Sequence, residues 1–330
     1  MNLELLDILR CPKTYEELYL ENDTHVIQDG KVKNGYLISK ISNNKYPIKN
    51  FIPRFVPESN YADNFGMQWN MFKKTQLDSH SGQLISEKRF LKATGLTPEK
   101  INGNYFLDCG CGAGRFAEVV LKYGGNLIAI DYSSAVDACY ENLGHFPNLN
   151  LIQANIYELP FKQNYFPYVY SLGVLQHTPD VKLAFCNLPK MVVKGGILCV
   201  DFYEDSLKSK LLPKFWLRPI TKRLGKKYLF SLLQKTTPFL LNISIKISKV
   251  PIFGNLLKRT IPVANYNGIL PLNKKQLYEW ALLDTFDWLS PEFDNPQKGK
   301  NIKKWFEEEN FQNIEIFYAD HLVGRGKSKL

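Results

Sequence analysis

The stretch from Tyr105 to Phe116, YFLDCGCGAGRF, constrains this chain more than any other. A run of strand character ends at Cys109, glycines follow at 110, 112 and 114, and a helical pattern then takes over. Alternate glycines after a strand let a loop press its backbone against a ligand, because no side chain obstructs the approach. The helix read over 113–123 places Phe116, Val119, Val120 and Tyr123 at helical spacing and stops at Gly124. A second strand over 126–130 leads into Asp131, 21 residues after Gly110. A carboxylate at that strand end can accept both hydroxyls of a ribose. Loop and carboxylate together predict a nucleoside-bearing cofactor across the C-terminal ends of two parallel strands. The spacing G-x-G-x-G is not the dinucleotide pattern G-x-G-x-x-G, because Arg115 stands where the third glycine would. This argues against a pyrophosphate on the helix N-terminus, and Asp108 suits a cationic cofactor better than a phosphate.

The alternation continues. Ser133 caps a helix read to about Leu143, and strands are predicted over 149–153, 168–171 and 197–202. Two further strands over 314–318 and 322–327 fit a hairpin. Strands alternating with helical patterns predict an α/β fold with an open parallel sheet and one antiparallel edge.

The motifs LDCGCGAGRF, IAIDYS, QANIYELPF, VYSLGVLQHTPD and KGGILCV occur in the order found in class I S-adenosylmethionine-dependent methyltransferases, and this part of the chain resembles their type 11 branch. The resemblance is strong over 100–205 and reaches 330 weakly. It implies a Rossmann-like seven-stranded sheet with an antiparallel last strand, and S-adenosylmethionine as cofactor. Carried over by position, Asp108, Gly110, Cys111, Gly112 and Gly114 line the methionine part of that cofactor. Asp131 meets the ribose hydroxyls, with Tyr132 beside it among the cofactor-binding residues; Asn155 meets the adenine amino group, Ile156 packs on the adenine ring, and Gln176 contacts cofactor or acceptor. Asn155 and Pro167 replace aspartates usual in the family, and Lys194 replaces the proline of P-G-G.

Five parts are expected. Residues 1–58 form a small β-rich, turn-rich module. LRCPKT with YPIKNFIPRFVP resembles a zinc-ribbon-like module, but Cys11 is the only cysteine before 100, and one cysteine cannot hold a structural zinc. A metal-free remnant with Cys11 in its core is expected, and no metal site anywhere. Residues 59–100 form a helical connector in which Phe65, Gln68 and Trp69 either close over the cofactor or pack on the sheet. Residues 101–205 are the cofactor-binding core, 206–278 a helical cap insertion, and 279–330 complete the core.

The cap explains the charge. The chain has 330 residues with 42 Lys and Arg against 32 Asp and Glu. Fifteen of those 42 bases lie between Ser206 and Tyr278, where there is no acid, so the rest of the chain is mildly acidic. Three readings stand open for this segment: a cap whose lysines are solvated, a cap that touches a membrane or a lipid-linked acceptor, or a nucleic-acid surface. Six prolines within it argue against one long helix. No export signal is read at the N-terminus, so six thiols without framework spacing suggest a cytoplasmic protein, peripheral at the inner membrane face if the cap binds lipid.

Methyl transfer from a sulfonium needs alignment above all, and a base only for a hydroxyl or a protonated amine. His177, after the fourth strand of the core, is the candidate base; shaping the loop through the backbone is its alternative role. Asp201 and Tyr203 face the same sheet edge. Asp284, Asp287 and Asp294 either bind acceptor hydroxyls or pair with the cap. The expected function is methylation of a small-molecule or glycan acceptor, lipid-linked or free, at oxygen or nitrogen. An RNA methyltransferase is one alternative; a weakly active or non-catalytic partner protein of this fold, which Thr14, Asn155 and Pro167 motivate, is another.

Overall fold

The computed structural model describes residues 1–22, 25–57, 60–206 and 212–329. The expected boundary at 58 and the first residues of the basic segment, 207–211, lie outside the described residues.

The N-terminal segment carries β1 (Tyr19–Leu20), β2 (Val26–Gln28), β3 (Lys31–Ile38), β4 (Lys45–Lys49) and β5 (Ile52–Pro53), all paired antiparallel. Cys11 is fully buried, with Sγ 3.1 Å from the Tyr46 hydroxyl. Among the described residues, no three or more His, Cys, Asp or Glu side chains are grouped as metal ligands would be. Met1, Leu5, Leu9, Leu37 and Ile48 share one apolar cluster with Ile130, Ile152 and Phe161, so this small sheet is sealed onto the main body.

The connector carries α1 (Asp63–Met71), α2 (Asp78–Ser81), α3 (Ile85–Thr94) and α4 (Pro98–Ile101). The main sheet follows. Its strands are β6 (Tyr105–Cys109), β7 (Asn126–Asp131), β8 (Leu149–Gln153), β9 (Phe166–Ser171), β10 (Val192–Phe202), β11 (Phe311–Ala319) and β12 (His321–Ser328). Their order is β11-β12-β10-β9-β6-β7-β8. β6 to β10 are mutually parallel, and β12 runs antiparallel between β10 and β11. This is the predicted seven-stranded Rossmann-like sheet with an antiparallel last strand. The order reverses at β6, whose neighbours are β7 and β9, so a crevice opens at the C-terminal ends of those strands. α5 (Ala117–Lys122), α6 (Ala135–Leu143) and α7 (Val181–Asn187) connect the parallel strands.

One local expectation needs correction. The helix read from Ala113 begins only at Ala117, because residues 110–114 are occupied by a turn with Gly110, Gly112 and Gly114 all at positive φ. The prolines do divide the cap into several helices, but Pro238 does not end the one in which it sits. The cap contains α8 (Pro213–Thr221), α9 (Lys226–Ser248) and α10 (Gly254–Leu257), and α9 runs 23 residues with Pro238 inside it. Pro238 lacks the N–H that would bond the Gln234 carbonyl; the Tyr278 hydroxyl donates to that carbonyl instead, at 3.3 Å. A tertiary donor thus replaces the missing backbone one. α11 (Lys274–Leu289) packs against α9 through Leu229, Leu233, Leu282 and Phe286, and α12 (Gly299–Glu308) covers β11 and β12. Among the described residues, no helix is long and apolar enough to cross a membrane.

Candidate active site

The glycine loop lies where the sheet order reverses. The amides of Gly110 and Cys111 donate to the Ile130 carbonyl at 2.8 and 2.9 Å, which ties the loop to the end of β7. Gly110 has φ of +102°, and a Cβ there would lie 2.4 Å from Val174. Gly112 has φ of +52° and lies under the Trp69 indole, 3.2 Å from where a Cβ would stand. Glycine is therefore required here by conformation and by close approach of the chain itself.

Asp131 is held rather than free. Gly112 N donates to Oδ2 at 3.0 Å, while Ser133 N and Oγ donate to Oδ1 at 2.8 and 2.7 Å. Burial raises its pKa in spite of these bonds. Oδ1 thus accepts two hydrogen bonds, while Oδ2 accepts one and keeps a lone pair for a hydroxyl donor.

One cavity of about 900 Å³ joins this edge to the cap. Of the residues expected to bind cofactor, Gly110, Cys111, Gly112, Asp131, Tyr132 and Ile156 line it, and so does His177. Asp108, Gly114, Asn155 and Gln176 stand behind the lining. Asp108 is buried with Oδ2 unpartnered, and desolvation pushes it up to about 8, so it holds its proton at neutral pH. A Cβ on Gly114 would clash with Leu143. Asn155 turns its Oδ1 to the Tyr157 amide at 3.1 Å. Gln176 is fully buried, and its side-chain amide has no partner on either atom.

The connector forms the roof. Gln68 and Trp69 of α1 line the cavity, and Asn60 donates to the Tyr132 carbonyl at 3.1 Å. Phe65 stands 5.2 Å from the His177 ring, with Tyr203 on another side at 5.6 Å. His177 Nδ1 is 3.1 Å from the Phe293 carbonyl. A carbonyl only accepts, so Nδ1 carries hydrogen, and in the neutral ring Nε2 keeps its lone pair. The Nδ1–H bond ties the ring to the segment that carries Phe293.

The three aspartates of the C-terminal part separate. Asp294 pairs with cap residues Lys214, at 3.3 Å, and Arg218. Asp284 and Asp287, one turn apart on α11, line the cavity instead. Asp284 accepts from the Tyr266 hydroxyl, and burial raises it to about 6. Asp287 accepts from Gln68 Nε2 and from the Tyr203 hydroxyl, both at 3.2 Å. Gln68 Oε1, also buried, has no donor.

Asp201 does not reach the cavity. It is fully buried and pairs with Arg89 at 2.6 Å; desolvation works against its charge, but Arg89 and His321 outweigh it and hold the carboxyl well below the usual range. Its other oxygen accepts from Gly173 N, so the pair braces the loop after β9. Arg115, noted in the sequence only as a replaced glycine, lines the cavity with its guanidinium over the Trp280 ring at 5.3 Å. Arg89, Tyr266 and Trp280 were not foreseen as cavity residues. They reach it from the connector and the C-terminal segments, where no local motif marks them.

A family model described as "Methyltransferase domain", that of the type 11 methyltransferases, matches residues 107–200. Demethylmenaquinone methyltransferase from Staphylococcus aureus is 24% identical over 237 residues, covering 70% of this chain and 76% of that one. Among solved structures, magnesium protoporphyrin IX methyltransferase from Synechocystis PCC 6803, with bound SAH, is 13% identical at a TM-score of 0.43 over 81% of this chain and 96% of that one. A putative S-adenosyl-L-methionine-dependent methyltransferase from Methanococcus maripaludis is 12% identical at 0.45, over 83% and 96%. The matched domain spans the glycine loop, Asp131 and His177, and the chain is an S-adenosylmethionine-dependent methyltransferase.

Proposed function

We propose that the acceptor is a small molecule enclosed beneath the cap and methylated at a hydroxyl or amine, and that a glycan or other polyol, free or lipid-linked, is the form the lining favours. The observation that carries this reading is the continuity of the cavity. Its volume is at the upper end for drug-sized ligands, enough for a cofactor and a small acceptor together. Asp131, Tyr132, Ile156 and the glycine loop would hold the cofactor, whose sulfonium supplies an activated methyl group. Asp284, Asp287 and Gln68 form the opposite wall, rich in hydrogen-bond acceptors and set among the aromatic rings of Tyr203, Trp280 and Trp288. Such a wall suits an acceptor that donates hydrogen bonds and stacks an apolar face on a ring.

His177 Nε2 would take the acceptor's proton, while its Nδ1–H bond to Phe293 keeps the ring in place. Phe65 and Trp69 exclude water from above. If the acceptor is lipid-linked, it would reach the site through a peripheral membrane contact of segment 206–262.

The test uses tritiated S-adenosylmethionine with fractionated cell extract. Label should enter the small-molecule or lipid-extractable fraction and fall at least ~100-fold with His177→Ala, the scale of general-base catalysis. Label retained in RNA would overturn the reading and favour the nucleic-acid alternative.

A further inference from the structure

The cap's outer surface combines features that a solvated lid does not need. Of the large apolar residues exposed on the molecule, eleven lie between Trp216 and Ile269. On α9, Leu229, Leu233, Thr237, Leu241 and Ser244 are buried. At 100° per residue, Tyr228, Leu232, Lys235, Phe239 and Lys246 fall within roughly 60° of arc on the opposite side. All five are exposed. A second site follows at the turn after α9, where Ile252 is 91% and Phe253 61% exposed between Lys249 and Lys258. On α8, Trp216 and Ile220, one turn apart, are 65% and 63% exposed.

Only part of the charge on this segment has an internal partner. Lys214, Arg218 and Lys222 pair with Asp294 and Glu292. Among the described residues, Arg223, Lys227, Lys235, Lys246, Lys249 and Lys258 form no ion pair, and the segment contains no acid. Two copies of so basic a face repel one another, which disfavours a homodimer through it. Exposed aromatics and leucines flanked by lysines match the headgroup region of a bilayer, where the rings enter the acyl boundary and the ammonium groups meet lipid phosphates.

We infer that the cap is a docking surface for membranes rich in anionic lipid. It places Tyr228, Leu232, Phe239, Ile252 and Phe253 in the headgroup layer. The inference rests on the proposed acceptor reading in one respect, that the docked segment is also the acceptor-side lid. Phe215, Arg259 and Ile269 of the same segment line the cavity, so the element facing the lipid also bounds the acceptor site.

The experiment is vesicle flotation of the full-length protein, loaded with S-adenosylhomocysteine. Vesicles of phosphatidylcholine alone are compared with phosphatidylcholine and phosphatidylglycerol mixed at about 2:1. Binding should be at least about tenfold tighter with phosphatidylglycerol and should weaken as salt rises. Ile252→Ser with Phe253→Ser should lower binding about tenfold, and Lys246→Gln with Lys249→Gln should weaken it on the anionic vesicles alone. These side chains are exposed and lie off the cavity, so S-adenosylhomocysteine affinity should stay unchanged in both variants. Equal binding to the two vesicle types, or serine variants that float like the parent, would overturn the inference. So would retention on tRNA at physiological salt by a protein that ignores the vesicles, which would assign the surface to nucleic acid. The acceptor reading is scored separately by where tritium goes, so either proposal can fail without the other.

Discussion

Asp131→Asn isolates the charge at the cofactor site with almost no change in shape. In the native protein the carboxylate accepts from Gly112 N at 3.0 Å, Ser133 N at 2.8 Å and Ser133 Oγ at 2.7 Å. An amide in its place has one accepting oxygen and one donating nitrogen. Whichever way it turns, its NH2 group faces a backbone N–H, of Gly112 or of Ser133. One native hydrogen bond is lost, and a donor meets a donor. A bound ribose would also exchange charge-assisted hydrogen bonds, at about 1.5–3 kcal/mol each, for neutral ones at about 1 kcal/mol. One such exchange, at the lone pair left on Oδ2, and the lost loop bond sum to roughly 1–3.5 kcal/mol, a weakening of about 5- to 400-fold in Kd. Isothermal titration with S-adenosylhomocysteine at neutral pH reads this directly, with thermal unfolding as the control for folding. Affinity within threefold of the parent in a well-folded variant would refute the assignment of Asp131 to the ribose.

Three further outcomes follow from buried charge and backbone. Asp201→Asn leaves the Arg89 guanidinium buried without its anion and should cost about 3–5 kcal/mol in urea unfolding. Because Asp201 is held below the usual carboxylate range, its contribution is complete above about pH 4 and is lost only as pH falls toward its folded value, so the variant and parent should converge in strong acid. Asp284 has the opposite sign: its folded value near 6 lies about two units above the unfolded one, so ionisation penalises the fold as pH rises from about 4 to 6. Asp284→Asn should therefore stabilise by on the order of 3 kcal/mol at pH 8 and by nothing at pH 4, as read from denaturant midpoints. Tyr278→Phe removes the donor to Gln234 O beside Pro238 and should cost about 0.5–1 kcal/mol, with amide exchange in α9 accelerated around that turn.

The core of the sheet was legible because its signals are local. A strand, glycines and a helix within a dozen residues leave few structures open. β6 and β8 fall on their predicted bounds, and the terminal hairpin was readable from two strand-like runs joined by a short link. Long-range partners were not readable. Asp201 and Asp284 are both acids near predicted strand ends or helix faces, yet one is spent on Arg89 and the other faces the cavity with Tyr266. Nothing beside either residue announces its partner, because the partner lies 112 residues away in one case. That α9 continues through Pro238 was unreadable for the same reason: the helix survives through a hydroxyl forty residues downstream.

The sequence by itself determined the class of sheet, the place of the cofactor loop and the position of the acid-free segment, since each follows from spacing or composition along the chain. Only the tertiary structure decided which side chains share the cavity, which aspartates are neutralised by the cap, and which face of α9 turns outward. Those outcomes depend on distances between segments far apart in sequence, and burial and ion pairing act through space.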